Sequence, residues 1–161
     1  MKKLKIYLAS GWFNSEQKKQ MEEIYEVIKL GAEEGRWDYF APFYDGITLQ
    51  KDDPNLRRKM QTVWWLDIQQ LQSSDLVVAC TQDHDVGTIF ECGYASAQGK
   101  IIFCYNSKPE LGLNVMLSQE ARAFVKTPHD LNKALLKFHQ AFETGEKLEN
   151  FRYNLWKGEP I

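Results

Sequence analysis

Short apolar runs alternate along the chain with longer stretches in which apolar residues recur every three or four positions. The first run, Leu4-Lys5-Ile6-Tyr7-Leu8-Ala9, predicts a strand that Ser10-Gly11 ends. Asn14 followed by Gln17 resembles a capping pair, and Met21, Ile24, Val27 and Ile28 then keep helical spacing as far as Gly35. Residues 39–43 predict a second strand, which runs out in Tyr44-Asp45-Gly46. Asp53-Pro54-Asn55 introduces a second helix with the apolar stripe Met60, Val63, Trp64, Ile68 and Leu71. Residues 75–80 form a third strand, whose unbroken apolar run implies burial on both faces. A polar loop over 81–85 leads into a third helix, from about Gly87 to Gln98, that Gly99 stops. Residues 100–105 and 123–126 predict the last strands and 131–142 the last helix, while 145–161 reads as an irregular tail.

Strands and helices that alternate in this way form a parallel sheet with right-handed crossovers and helices on both faces. No repeat or low-complexity linker divides the 161 residues, a length that suits one domain. The expectation is a single flavodoxin-like, doubly wound α/β domain with a mainly parallel five-stranded sheet. Ligands of such sheets bind outside the carboxyl ends of the strands, which selects residues 9–14, 42–48, 81–91 and 105–116.

Aromatic residues make up 13% of the chain, a high share that suits either a flat apolar ligand such as a nucleobase or a subunit interface. Net charge is −2 with no long block of one sign, which argues against nucleic acid as a partner. Cys80, Cys92 and Cys104 match no zinc or redox spacing and read as reduced thiols used as small hydrophobes. The apolar run at the amino terminus is too short for a signal peptide and nothing reaches membrane-spanning length. A cytoplasmic protein with no membrane partner is expected.

Several polar residues fit a packing role poorly. Asp67 lies three residues after Trp64 and four before Leu71, on the apolar stripe of its helix. There it either reaches solvent at the stripe edge or serves a function. Glu91 falls among apolar and small neighbours near the start of a helix at the sheet's carboxyl edge, where the helix dipole favours a carboxylate. An ordinary dipole-pairing glutamate would sit there too. Asp85 suits a helix cap or a group acting beside Glu91. Tyr7 needs a partner for its hydroxyl if buried, and a carboxylate at this edge would serve. Neither a dinucleotide nor a triphosphate cradle is present, and no metal-ligand spacing appears. Carboxylates gathered at one edge, with aromatics and no cofactor motif, point to glycosidic bond chemistry.

Five segments together resemble nucleoside 2-deoxyribosyltransferases across nearly the whole chain. They are Ile6-Tyr7-Leu8-Ala9-Ser10-Gly11-Trp12-Phe13, Val63-Trp64 through Asp67 to Asp75, Asp85-Val86-Gly87 through Glu91-Cys92-Gly93-Tyr94-Ala95, Gln98-Gly99-Lys100, and Leu113-Asn114-Val115-Met116. The resemblance implies a cofactor- and metal-free enzyme that exchanges purine and pyrimidine bases on 2′-deoxynucleosides. It makes Glu91 the nucleophile, Tyr7 its orienting partner, and Asp85 and Asp67 the pair that binds the base and manages its proton, with Asp85 the first choice as proton donor. Gly11, Trp12 and Phe13 would form the substrate pocket, the two aromatics as walls for the base. Asn114 and Met116 would be supplied to a neighbouring subunit's site, so a homo-oligomer, a dimer or hexamer, is implied. Two features depart from the family pattern. Phe43-Tyr44-Asp45-Gly46 stands where relatives place a base-contacting glutamine, and the chain ends Glu159-Pro160-Ile161 rather than on an aromatic residue. The rival readings are an N-glycosidase that uses water as acceptor and a non-catalytic nucleotide-sensing module.

Overall fold

The computed structural model describes residues 2–108 and 112–158. Strands β1 (Leu4–Ala9), β2 (Trp37–Phe40), β3 (Leu76–Cys80), β4 (Ile101–Tyr105) and β5 (Ala123–Val125) form one sheet, ordered β2-β1-β3-β4-β5. Every neighbouring pair is parallel. The described helices are α1 (Ser15–Glu33), α2 (Pro42–Asp45), α3 (Leu56–Ser73), α4 (Val86–Ala97), α5 (Val115–Glu120) and α6 (Pro128–Glu143). This is the doubly wound α/β architecture expected, with the sheet parallel throughout.

Alternation along the strands feeds two cores, one on each face of the sheet. Ile6, Leu8, Val78 and Phe103 pack with Ile24 and Ile28 of α1 and Leu135 and Phe138 of α6. Tyr7, Ala9, Val77 and Ala79 pack with Ile68 and Leu71 of α3 and Cys92 and Ala95 of α4. β3 and β4 are buried at every position, as their unbroken apolar runs require. The strand order reverses between β1 and β3, where Ala9 lies beside Ala79. The loops that leave these two strands therefore start side by side, at the crevice where such sheets take ligands. Asn14 Nδ2 bridges them by donating to Asp83 Oδ2 at 2.8 Å.

β2 starts two residues earlier than the expected 39–43 and ends at Phe40. Trp37 sets its register: the ring is wholly buried, its Nε1 donates to the Ile28 carbonyl at 2.8 Å, and it lies against Gly31 of α1. A Cβ on Gly31 would come within 1.9 Å of the indole, so the glycine is what admits it. Pro42 then opens α2, a position where its missing N–H costs nothing. Asp45 closes that turn by accepting from Ala41 N at 2.8 Å.

The α3 stripe is buried only in its second half. Ile68 and Leu71 are in the core, whereas Met60 and Trp64 are about half exposed. Eighteen residues of helix span roughly 27 Å, longer than strands of three to six residues, so its first turns overhang the carboxyl edge. α5 was not expected, because six residues carry too little periodicity to mark a helix. The expected irregular tail is partly ordered. A 3-10 turn covers Leu148–Asn150, Tyr153 bridges to Ala123, and the Trp156 ring lies 4.8 Å from that of Phe124. This segment covers the β5 edge that would otherwise offer unpaired backbone. Residues 159–161, the divergent terminus, lie outside the described residues. No described helix is long and apolar enough to cross a membrane.

Candidate active site

Tyr7 sits on the α3–α4 face of β1 with no exposed surface, which decides its burial. Its hydroxyl donates to Glu91 Oε1 at 2.6 Å. Burial first, then the nearby charges of Glu91 and Asp67, raise the Tyr7 pKa far above the ordinary phenol range, so it stays a donor. Glu91 is the sixth residue of α4 and half-buried. Burial pushes its carboxyl pKa up to about 8; the Tyr7 bond opposes the rise, and the charges of Asp67 and Asp85 add to it. The helix dipole was expected to favour the carboxylate form. It fades within the first turn, and desolvation outweighs it.

Asp67 lies in the middle of α3, half-buried, and burial pushes its pKa up to about 6. It faces a cleft of about 500 Å³ walled by Trp12, Phe13, Phe43, Ile47 and Val63. The ring centroids of Phe13 and Phe43 stand 5.5 and 5.6 Å from that of Trp12. Clefts of about 600 and 570 Å³ lie elsewhere, one near Lys3 and His139 and the other near Lys126 and Trp156. Neither contains a residue selected by the chemistry, so volume alone does not mark the site.

Asp85 is the N-cap of α4, and its Oδ2 accepts from both Thr88 N at 2.8 Å and Thr88 Oγ1 at 3.0 Å. Both bonds fall on one oxygen, which leaves Oδ1 for other work. Gly11 is buried against it, and a Cβ there would lie 3.0 Å from Asp85 Cγ and 2.8 Å from Gln17 Oε1. The glycine therefore lets a carboxylate close on the β1 loop. His84, beside Asp85, holds a left-handed φ of 45°.

Asn114 caps α5 by accepting from Met116 N at 2.9 Å, and Met116 is 76% exposed. Neither lines the aromatic cleft. The structure thus brings Tyr7, Glu91, Asp67, Asp85 and Gly11 to one edge, sets Trp12 and Phe13 on the adjoining cleft, and leaves Asn114 and Met116 facing outward. Sequence reasoning missed Phe43 as a wall residue and Gln17 as more than a cap partner. An aromatic directly after a proline at the carboxyl end of the second strand was the available signal for Phe43. Among the described residues, no three His, Cys, Asp or Glu side chains cluster as metal ligands would.

A family model for nucleoside 2-deoxyribosyltransferase matches residues 6–126. A nucleoside deoxyribosyltransferase of Lactobacillus leichmannii is 28% identical over 109 residues, which cover 63% of this chain and 69% of that protein. A solved structure of a 2-deoxyribosyltransferase from Bacillus psychrosaccharolyticus superposes with a TM-score of 0.69 at 19% identity, covering 95% of this chain and 99% of that one. A CMP N-glycosidase of Clostridium botulinum superposes with a TM-score of 0.54 at 20% identity, covering 82% and 98%.

Proposed function

Since the chain belongs to the nucleoside 2-deoxyribosyltransferase family, we propose that it moves 2-deoxyribose from a 2′-deoxynucleoside to a second purine or pyrimidine base, through a covalent intermediate on Glu91. The observation that carries this reading is the 2.6 Å bond from the buried Tyr7 hydroxyl to Glu91 Oε1, beside an aromatic cleft that ends at Asp67. One oxygen of Glu91 is thereby held, and the other is left to react.

In the first step Glu91 passes its proton to Asp67, whose charge acts on it. The freed carboxylate oxygen attacks C1′, and the C1′–N bond breaks with its electron pair going to the base. The base takes up a proton as it leaves. A pKa of about 6 and a place on the cleft support Asp67 as the donor, with Asp85, whose Oδ1 the cap leaves free, as the second candidate. The sequence put Asp85 first, but its Oδ2 is spent on the cap. A second base stacks between Trp12, Phe13 and Phe43 and attacks C1′ from the same face. Its N–H proton goes to the carboxylate that gave one up in the first step, and the C1′–O bond breaks to restore Glu91. The two displacements together retain configuration. Water in place of that base would give hydrolysis, the reaction named for the structurally similar N-glycosidase. A role in cytoplasmic salvage of deoxynucleosides, without metal or cofactor, completes the reading; three buried cysteines, all free, fit a reducing compartment.

The test is to incubate the protein with thymidine and adenine and separate the products. Deoxyadenosine and free thymine are expected from the wild type, and neither from Glu91→Ala. Deoxyribose and thymine without deoxyadenosine would replace transfer by hydrolysis. Transfer by Glu91→Ala within tenfold of wild type would sink the covalent mechanism.

A further inference from the structure

Gln17 occupies the third position of α1, after the cap Asn14, whose Oδ1 accepts from Gln17 N at 2.9 Å. In a capping box the side chain at that position reaches back to the backbone N–H of the cap residue itself. Here it reaches one residue further. Gln17 Oε1 accepts from Phe13 N at 2.8 Å, in the middle of the loop that carries the aromatic wall. The residue is 7% exposed, and its amide end and the Asp85 carboxyl both close on the Cβ position of Gly11. Because the oxygen must face the Phe13 N–H, the amide nitrogen is the end that faces away. Phe13 has little else to hold it, since its side chain is 75% exposed.

We infer that Gln17 is a positioning residue for base binding: its side-chain oxygen fixes the Gly11-Trp12-Phe13 loop so that the two rings stand as one wall of the cleft. This rests on the cleft being the base site, as proposed above. The bond orders a short loop before the base arrives, so its loss falls on binding more than on the chemical step. A role confined to capping would instead lower stability and leave binding unchanged.

Two substitutions separate these roles. Gln17→Met keeps the length and removes the acceptor, whereas Gln17→Glu keeps an oxygen for Phe13 N. With thymidine and adenine, Gln17→Met is expected to raise KM for the base by about three- to tenfold, the size of one hydrogen bond, with kcat changed much less. Gln17→Glu should return KM toward wild type, while its added charge beside Asp85 acts on kcat. Calorimetric titration of the free protein with adenine reads the same wall without turnover, and its Kd should follow KM. An unchanged KM and Kd in Gln17→Met, or a melting-temperature loss common to both variants with no change in binding, would overturn the positioning role. A wild type that neither turns over nor binds adenine would overturn the functional reading as well.

Discussion

Glu91 shows how the site trades stability for reactivity. Its folded pKa of about 8 stands above the ordinary 4.5 because burial disfavours the charge. Between those two pH values the folded chain holds a proton that the unfolded chain has released, so stability falls as pH rises. The contribution is fully present below about 4.5 and lost once the pH passes about 8. Glu91→Gln keeps the shape and does not titrate. Its melting temperature relative to wild type should therefore climb through that window and level off above it. A difference that stays constant from pH 4 to pH 9 would show that burial does not hold the proton. The sequence disclosed Glu91, Asp67, Asp85 and Tyr7 as residues that packing explains poorly, and the resemblance joined them into one site. It did not disclose the protonation state of Glu91, which depends on how much water the folded chain removes. The second work of Gln17 was hidden for a similar reason: the residue type suits a cap, and only the backbone path shows which N–H it reaches.

At the level of elements, two glycines carry opposite kinds of information. Gly31 makes room for Trp37, whose ring is pinned by its bond to the Ile28 carbonyl. Gly31→Ala should cost about 1–3 kcal/mol as an overpacked core, read as a melting temperature lower by several degrees, with normal activity well below that transition. Gly11 makes room for Asp85 and Gln17. Gly11→Ala should leave melting nearly unchanged, because the far end of Gln17 can yield, but should lower transfer by displacing Asp85 and the wall. Equal melting losses in the two variants would contradict this division. The same pair explains what was legible. Strands β1, β3 and β4 declared themselves by apolar runs, whereas β2 is placed by a tryptophan whose slot lies in another element. Its edge position leaves a mixed burial pattern, with Asp38 exposed between buried ends, so periodicity alone drew it two residues late. Helix α3 was read as a helix with an apolar stripe, and only the second half of that stripe is buried, because sequence spacing gives a face and not what lies against it.

At the scale of the molecule, the exposed stripe is informative in its own right. Met60, Trp64 and Trp65 of α3, Val86 and Phe90 of α4, and Val115 and Met116 of α5 are each 47% exposed or more. These three helices belong to the face of the sheet that carries Tyr7 and Glu91. A soluble monomer seldom leaves so many large apolar side chains on one face, and partner subunits are the usual cover. Asn114 and Met116 project from the same side and do not reach the cleft of their own chain, which supports their service in a neighbour's site. The chain is therefore expected to sediment as a dimer or a multiple of it. Replacing Trp64 and Trp65 together by Glu should yield monomers with little activity. Asn114→Asp offers a sharper test, since Asp keeps the α5 cap while the amide donor is lost. If sites are shared reciprocally across a two-fold interface, Glu91→Ala and Asn114→Asp are each inactive alone. Mixed and allowed to exchange subunits, they form hybrids in which one site has Glu91 from one chain and Asn114 from the other, about a quarter of all sites. Activity should return toward that fraction on the timescale of exchange. A fully active monomer, or no recovery although hybrids are seen by native mass spectrometry, would place the whole site within one chain.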